Sequence, residues 1–160
     1  MKTQDPLAGL SHDHGHLGAL VLGVQATLLR IERAELTFDE GVDELDDGVE
    51  ALHEALVEHF AREEEGFFPF IETHVVALRP RVEALRIDHD AVCRRVDDLA
   101  RAVRQGVRDG VGFAACLSTF ERFQELYAKH AEAELAMLVD VGASVDSDAR
   151  DKLRAILATI

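Results

Sequence analysis

The stretch HFAREEEGFFP, residues 59–69, places a histidine and a glutamate four positions apart. In an α-helix, residues with this spacing share one face, so His59 and Glu63 can direct an imidazole and a carboxylate to one point. This spacing suits metal ligation, and it recurs near the end of the chain in His130 and Glu134. The other six histidines lack such a partner; they are His12, His14, His16, His53, His74 and His89. The repeated pair therefore indicates a metal site to which two helices contribute.

Composition predicts a single all-α domain. The chain has 160 residues, of which 48% are apolar and 30% charged, as expected for a soluble globular protein with a sizeable core. Ala, Leu, Val, Arg and Glu dominate, and only 3 residues are proline, which favours helix nearly throughout.

The net charge of -14 restricts the classes of partner. Nucleic acid and anionic membrane surfaces would be repelled at long range, so we expect neither as a partner. No apolar run approaches the roughly 20 residues of a membrane span, and the N-terminus lacks a signal pattern, which predicts a cytoplasmic protein. Cys93 and Cys116 form no CxxC pair, so we expect both to be reduced.

Four helices are outlined by apolar residues at three- and four-residue spacing. Each stripe also contains one or two polar residues that can bind a metal. The four stripes are Leu10, His14, Leu17, Val21, Val24, Leu28 and Ile31; Val42, Leu45, Val49, Leu52, Leu56, His59 and Glu63; Val82, Leu85, His89, Val92, Val96, Leu99 and Val103; and Phe113, Cys116, Phe120, Phe123, Tyr127, His130, Glu134 and Met137.

Local signals predict where these helices begin. Residues 1–9 read as a frayed lead-in, after which Ser11 can cap the first helix of a bundle spanning residues 10–141. Thr37 with Glu40 three positions later is the signature of a capping box for the second helix.

Proline and glycine predict the remaining boundaries. Pro69 should kink or end the second helix, and Pro80 suits the first turn of the third. Gly142 is expected to end the fourth helix. Residues 142–160 then form a short amphipathic C-terminal helix that packs on the bundle.

Six polar residues on apolar stripes require something to satisfy them, because an unpaired buried Glu or His costs several kcal/mol, roughly. Bound metal does so. Imidazole and carboxylate donors suit iron or manganese, whereas structural zinc prefers four ligands and often thiolates. Since each carboxylate can bridge two ions, the set suits a pair of metals. The predicted ligands are His14, His59, Glu63, His89, His130 and Glu134.

The helix pair is also repeated within the chain. Asp13-His14 followed by a His–Glu pair in the first half parallels Asp88-His89 followed by a His–Glu pair in the second. If the four helices run up, down, up and down, all six predicted ligands meet at one end.

Other residues near these motifs have simpler interpretations. His12, His16 and His53 lie off the stripes and are predicted to be at the surface. The placement of His74 is not predicted, because Pro69 interrupts the helical phase before it. Cys93, four residues after His89, could approach the site, as could Tyr127, but core packing is the preferred interpretation of both. Four phenylalanines are expected to pack in the core and to keep water from the metals; they are Phe60, Phe67, Phe68 and Phe123.

The ordered set of motifs resembles the hemerythrin family, specifically the HHE cation-binding domains. The resemblance covers residues 10–141 and implies an up-down-up-down four-helix bundle with a non-heme di-iron centre, oxo- or hydroxo-bridged and also bridged by Glu63 and Glu134. It is carried by His14, the His59–Glu63 pair with Phe68-Pro69, Asp88-His89 and the His130–Glu134 pair.

Two departures separate the chain from the oxygen-carrying members. Those proteins have a second histidine four residues after the one on helix three, where this chain has Cys93, and usually Asp five residues after the last histidine, where this chain has Glu134 at four. The chain is more similar to HHE proteins associated with iron or oxygen sensing, metal holding, or turnover of peroxide or nitric oxide.

Three functional hypotheses follow. The first is a di-iron protein, possessing open metal positions, that binds or reacts with oxygen, peroxide or nitric oxide, as a monomer or a homodimer. The second is an iron-holding or iron-sensing module without turnover. A plain helical scaffold is the third, and it is disfavoured because Ala or Leu would serve better at the six ligand positions. Iron, manganese and a mixed pair all remain compatible with these donors.

Overall fold

In the computed structural model, which describes residues 5–160, the chain forms six α-helices and no β-strand in that range. A π-helical turn, Glu63–Phe67, joins α2 to α3 without interruption, and a 3-10 turn, Val76–Leu78, precedes α4. The prediction of an all-α protein is confirmed. The helices are α1 (Pro6–Glu32), α2 (Phe38–Arg62), α3 (Phe68–His74), α4 (Arg79–Gly106), α5 (Gly110–Ser144) and α6 (Ser147–Leu157).

The four long helices form the predicted up-down-up-down bundle. α1 packs on α2, α2 on α4 and α4 on α5, and α5 returns to contact α1. Short connections make successive helices antiparallel, while α3 continues the path of α2 beyond the π turn.

The bundle core consists of two apolar clusters separated by a polar layer. The larger cluster extends from Leu17 and Phe60 to the loops that join α1 to α2 and α4 to α5. The smaller one includes Leu10, Phe67 and Leu153 and lies beneath α3 and α6. Along each long helix, the predicted ligands lie between members of the two clusters, so the helices that build the core also fix the position of the polar layer.

The first helix begins earlier than predicted. Asp5 is its N-cap, with its Oδ1 accepting a hydrogen bond from the Leu7 N–H at 3.2 Å, and Pro6 occupies the first turn. Ser11, the predicted cap, is exposed inside this helix, because the buried Leu7 already belongs to the apolar stripe. The lead-in predicted for residues 1–9 is therefore helical from Pro6; residues 1–4 of it lie outside the described residues.

The end of the bundle also differs from prediction. α5 continues through Gly142 to Ser144, since Gly142 keeps a negative φ and does not form a glycine cap. α6 starts after the cap Asp146, and its Leu153 is fully buried. At Gly66 in the π turn, an added Cβ would lie 2.6 Å from Cδ1 of Ile160, so the absence of a side chain lets the C-terminal segment cover this turn.

The predicted capping box at the start of α2 is confirmed. Thr37 Oγ1 accepts from the Glu40 N–H at 3.3 Å, and the Thr37 N–H donates to Glu40 Oε2 at 3.0 Å. Thr37→Ala is expected to lower the free energy of unfolding by about 1 kcal/mol, measured by urea denaturation. Thr27→Ala is the control, because Thr27 bonds only to a carbonyl one turn back inside α1. Equal effects of the two substitutions would contradict the capping role.

Candidate metal centre

Each long helix contributes to the polar layer. His14 lies on α1, His89 on α4, and each His–Glu pair spans one turn at the end of α2 or within α5. The sequence analysis predicted this convergence, and the structure brings all six side chains together. In the pairs, His59 Nε2 lies 3.4 Å from Glu63 Oε1, and His130 Nε2 lies 3.3 Å from Glu134 Oε2.

The six side chains form two overlapping groups that could hold metal ions. Within each group, one ligand atom from every residue lies within 4.8 Å of the others. Glu63 belongs to both groups, with Oε2 3.1 Å from His89 Nε2 and Oε1 directed at His59. The first group is His14, His59, Glu63 and Glu134, and the second is Glu63, His89 and His130.

These groups are buried and mostly unsatisfied. Glu63 and Glu134 are 0% exposed, and His14, the most accessible of the six, exposes 8% of its side chain. Several of their inward-facing atoms have no hydrogen-bond partner: both oxygens of Glu63, Oε2 of Glu134, and Nε2 of His89 and His130. Buried atoms of this kind are destabilising unless a ligand satisfies them. Orphaned nitrogen and oxygen donors converging on one place fit metal ions.

The two carboxyl groups titrate in opposite directions. Burial, reinforced by the neighbouring Glu134 carboxyl, raises the pKa of Glu63 well above its usual value. Burial also opposes ionisation of Glu134, but its interactions with Glu63 and the histidines outweigh burial and hold the Glu134 pKa well below the usual value. Without metal, Glu63 therefore keeps its proton to a higher pH than Glu134 does.

His89 is neutral for a similar reason. Burial, reinforced by the neighbouring His130, lowers the pKa of His89 to about 3. A neutral imidazole has a free lone pair, which is the form that binds metal. His89 thus offers Nε2 as a ligand without first losing a proton.

Cation binding is expected to release about one proton per chain below the raised pKa of Glu63, because that carboxyl must ionise to become a ligand. Affinity should therefore weaken as the pH falls. Calorimetric titration in two buffers of different ionisation enthalpy measures the released protons. Binding that releases no proton and has the same affinity across this range would contradict the protonation of Glu63.

Outer carboxylates contact the far side of three of the histidines. His89 Nδ1 donates to Glu64 Oε1 at 2.7 Å. The acidic residue that precedes each single histidine approaches the next helix: Asp13 Oδ2 lies 3.9 Å from His59 Nδ1, and Asp88 Oδ2 lies 4.0 Å from His130 Nδ1. The sequence analysis noted both aspartates as part of the repeat but gave them no role, and it missed Glu64.

Aromatic rings enclose one side of the centre. Phe60 stacks on His89 with ring centroids 3.8 Å apart, and Phe68 covers the same imidazole at 5.3 Å. Phe67 is fully buried nearby, and the Arg86 guanidinium lies over Phe68 at 5.6 Å. These contacts orient the His89 ring and keep water away from it.

Two clefts lead from the surface to the polar layer. One, of about 310 Å³, lies between α2 and α4, with Phe60, Glu64, His89 and Cys93 in its lining. The other, of about 130 Å³, lies between α1 and α2 and includes His59. A space of roughly 10–15 Å³ holds one water, so either cleft admits a molecule of a few atoms.

The remaining histidines lie away from this centre. His12 and His16 are exposed, and His53 is partly exposed beside Asp97, as expected. His74, left open by the sequence, is exposed at the end of α3 and stacks on Phe70.

Cys93 and Tyr127 both pack against the larger apolar cluster, as preferred from the sequence. Cys93 is only half-buried and also lines the cleft beside His89. Tyr127 stacks on Phe123 with nearly parallel rings 5.9 Å apart.

Comparison with protein families agrees with this architecture. The model of the hemerythrin HHE cation-binding domain matches residues 5–140. The chain belongs to this family. The HHE domain accounts for all four long helices and contains every one of the six converging side chains. Comparisons with curated proteins and with solved structures gave no match. No helix in residues 5–160 of this HHE protein is long and apolar enough to cross a membrane.

Proposed function

We propose that the six side chains hold a pair of non-heme iron ions, and that this centre binds or reacts with oxygen, peroxide or nitric oxide. The observation that carries the proposal is the pair of overlapping ligand groups with Glu63 common to both. A carboxylate with two unsatisfied oxygens in a buried site is suited to bridge two cations. The same donors would accept manganese or a mixed pair.

The ligand set supports a reactive centre more than a closed structural one. His14 and His59 would serve one ion and His89 and His130 the other, with Glu63 common to both groups. Glu134 belongs to the first group, and its Oε2 also lies 3.3 Å from His130 Nε2. Even with an oxo or hydroxo bridge, these donors would leave octahedral positions open on two irons. When bound, such a pair supplies electrons and Lewis acidity to a small molecule.

The protein itself controls access and protonation around the ions. Phe60 and Phe68 exclude bulk water from His89, while the clefts between helices admit small molecules. Burial, with the nearby charges of Glu134 and Glu63, raises the pKa of Tyr127 to about 12, so its hydroxyl keeps its proton. The inward-facing atoms of the layer are therefore buried beside a neutral phenol, and this low-dielectric setting strengthens electrostatic interactions among them.

The decisive experiment combines metal analysis with absorption spectroscopy. Aerobically purified protein is expected to contain about two irons per chain, with near-ultraviolet bands that change when peroxide is added. Catalysed loss of peroxide would favour turnover, whereas a spectral response without loss would favour an iron-holding or sensing module. Protein that binds no iron after anaerobic loading would contradict the proposal.

A further inference from the structure

The two candidate metal positions have different surroundings. His59 and Glu63 in the first half correspond to His130 and Glu134 in the second, each 71 positions later. Residues next to these ligands can therefore be compared with the residues 71 positions later. Each position has two histidines and a His–Glu pair from one helix, and Glu134, grouped with the first position, also lies 3.3 Å from His130. The residues behind the histidines differ more.

The first difference is the hydrogen bond to the outer nitrogen, Nδ1, of His89 and of His14. Glu64 binds His89 Nδ1, but the residue at the matching position in α5 is Leu135, which cannot accept a hydrogen bond. Correspondingly, His14 Nδ1 is buried and has no hydrogen-bond partner among residues 5–160. A carboxylate on the far nitrogen fixes the tautomer and ring orientation of a ligating histidine and makes it a stronger donor.

The second difference is the set of aromatic rings around each histidine, and it also favours His89. Phe60, which stacks on His89, is matched by Ala131 in the second half. The one ring contact of His14 in the described chain is with His59, edge to face, at 5.0 Å. His89 is therefore stacked by two phenyl rings and bonded at Nδ1, whereas His14 has neither a stacked ring nor a partner at Nδ1 within residues 5–160.

The outer aspartates differ as well. Arg62 donates to Asp13 Oδ2 at 2.7 Å, which offsets the negative charge beside His59. The residue that corresponds to Arg62 is Ala133. Asp88, beside His130, therefore has no positively charged side chain at the corresponding position. Among residues 5–160 Asp88 is thus not paired with an arginine as Asp13 is, although Arg81 lines the same cleft.

We propose that the position formed by His89 and His130 binds a cation more tightly than the position formed by His14 and His59, and that Glu64 is the positioning residue that sets this difference. The inference rests on the proposed metal pair. All three differences favour the same position, and removing an outer carboxylate typically costs about 10- to 100-fold in metal affinity.

Single-position variants are needed to test this, because two neighbouring cations repel each other and would separate two binding steps even at identical positions. His14→Ala cripples the weaker position and His89→Ala the stronger. Anaerobic calorimetric titration with Fe²⁺ is expected to give an affinity at least about 10-fold tighter for His14→Ala than for His89→Ala.

Glu64→Leu is then added to each variant. It should weaken Fe²⁺ binding about 10- to 100-fold in the His14→Ala protein and have little effect in the His89→Ala protein, where its partner is gone. Glu65→Leu is the matched control, since Glu65 lies in the same π turn, is exposed and also carries one charge. Its effect should be small in both proteins.

The outcomes separate the two proposals. Equal affinities in the two histidine variants would overturn the inequality of the positions. Weakening by Glu64→Leu in both backgrounds, or by Glu65→Leu to the same extent, would overturn the role of Glu64. A wild-type protein that binds no Fe²⁺ would contradict the metal pair itself.

Discussion

Glu134→Ala is expected to reduce the iron content from about two ions per chain to one or none. Glu134 Oε1 lies 2.9 Å from His14 Nε2, and Oε2 lies 3.3 Å from His130 Nε2. It therefore stands between histidines of both candidate positions, and no other carboxylate in the described chain replaces it there. Elemental analysis of the purified and iron-reconstituted proteins measures the effect.

The same result is expected for Glu63→Ala, because Glu63 belongs to both ligand groups. His53→Ala is the control: it also removes an imidazole from α2, but one that is partly exposed and paired with Asp97. Far-UV circular dichroism establishes that each variant is folded. Equal iron content in the three variants would rule out the ligand assignment.

Iron binding should also raise the thermal stability strongly. With free Fe²⁺ at 1,000 times its dissociation constant, binding to the native state alone contributes about 4 kcal/mol, which corresponds to roughly 8–16 °C in Tm for a chain of this size. The effect is plausible because the metal-free protein buries polar atoms without partners. Anaerobic thermal unfolding with and without Fe²⁺ measures it.

Glu134→Ala provides the comparison for this shift. That variant should show a clearly smaller rise in Tm with Fe²⁺ than the wild type, since it holds at most one of the two ions that link binding to folding. A wild-type Tm that does not respond to Fe²⁺ would show that the native state does not bind Fe²⁺ more tightly than the unfolded state does. An equal rise in both proteins would place the stabilising ion elsewhere.

Much of this arrangement follows from the sequence because helical periodicity fixes both the core and the site. The stripe on α4 shows this most clearly: its apolar residues are buried, and His89 lies among them. Once two His–Glu pairs occupy such stripes, the up-down-up-down order of the helices brings both pairs to one end of the bundle. The Thr37–Glu40 capping box was equally predictable, because its hydrogen bonds are local.

Other features depend on information that one helix does not contain. Glu64 binds a histidine on another helix, and nothing in its own helical pattern distinguishes it from Glu65. Asp5 is different: an Asp before a Pro is a recognisable helix start, but residues 1–9 were predicted to be a frayed lead-in and the cap was placed at Ser11. The π turn has no such sequence signature, so it appears only in the structure.

The π turn also changes which way the chain faces beyond the ligands. The Phe68 N–H bonds to the Glu63 carbonyl five residues back, so this turn is wider than an α-helical turn. The residues after it are therefore rotated relative to α2. This rotation lets Glu63 face the polar layer while Phe67 and Phe68, only one position apart, both enter the smaller apolar cluster.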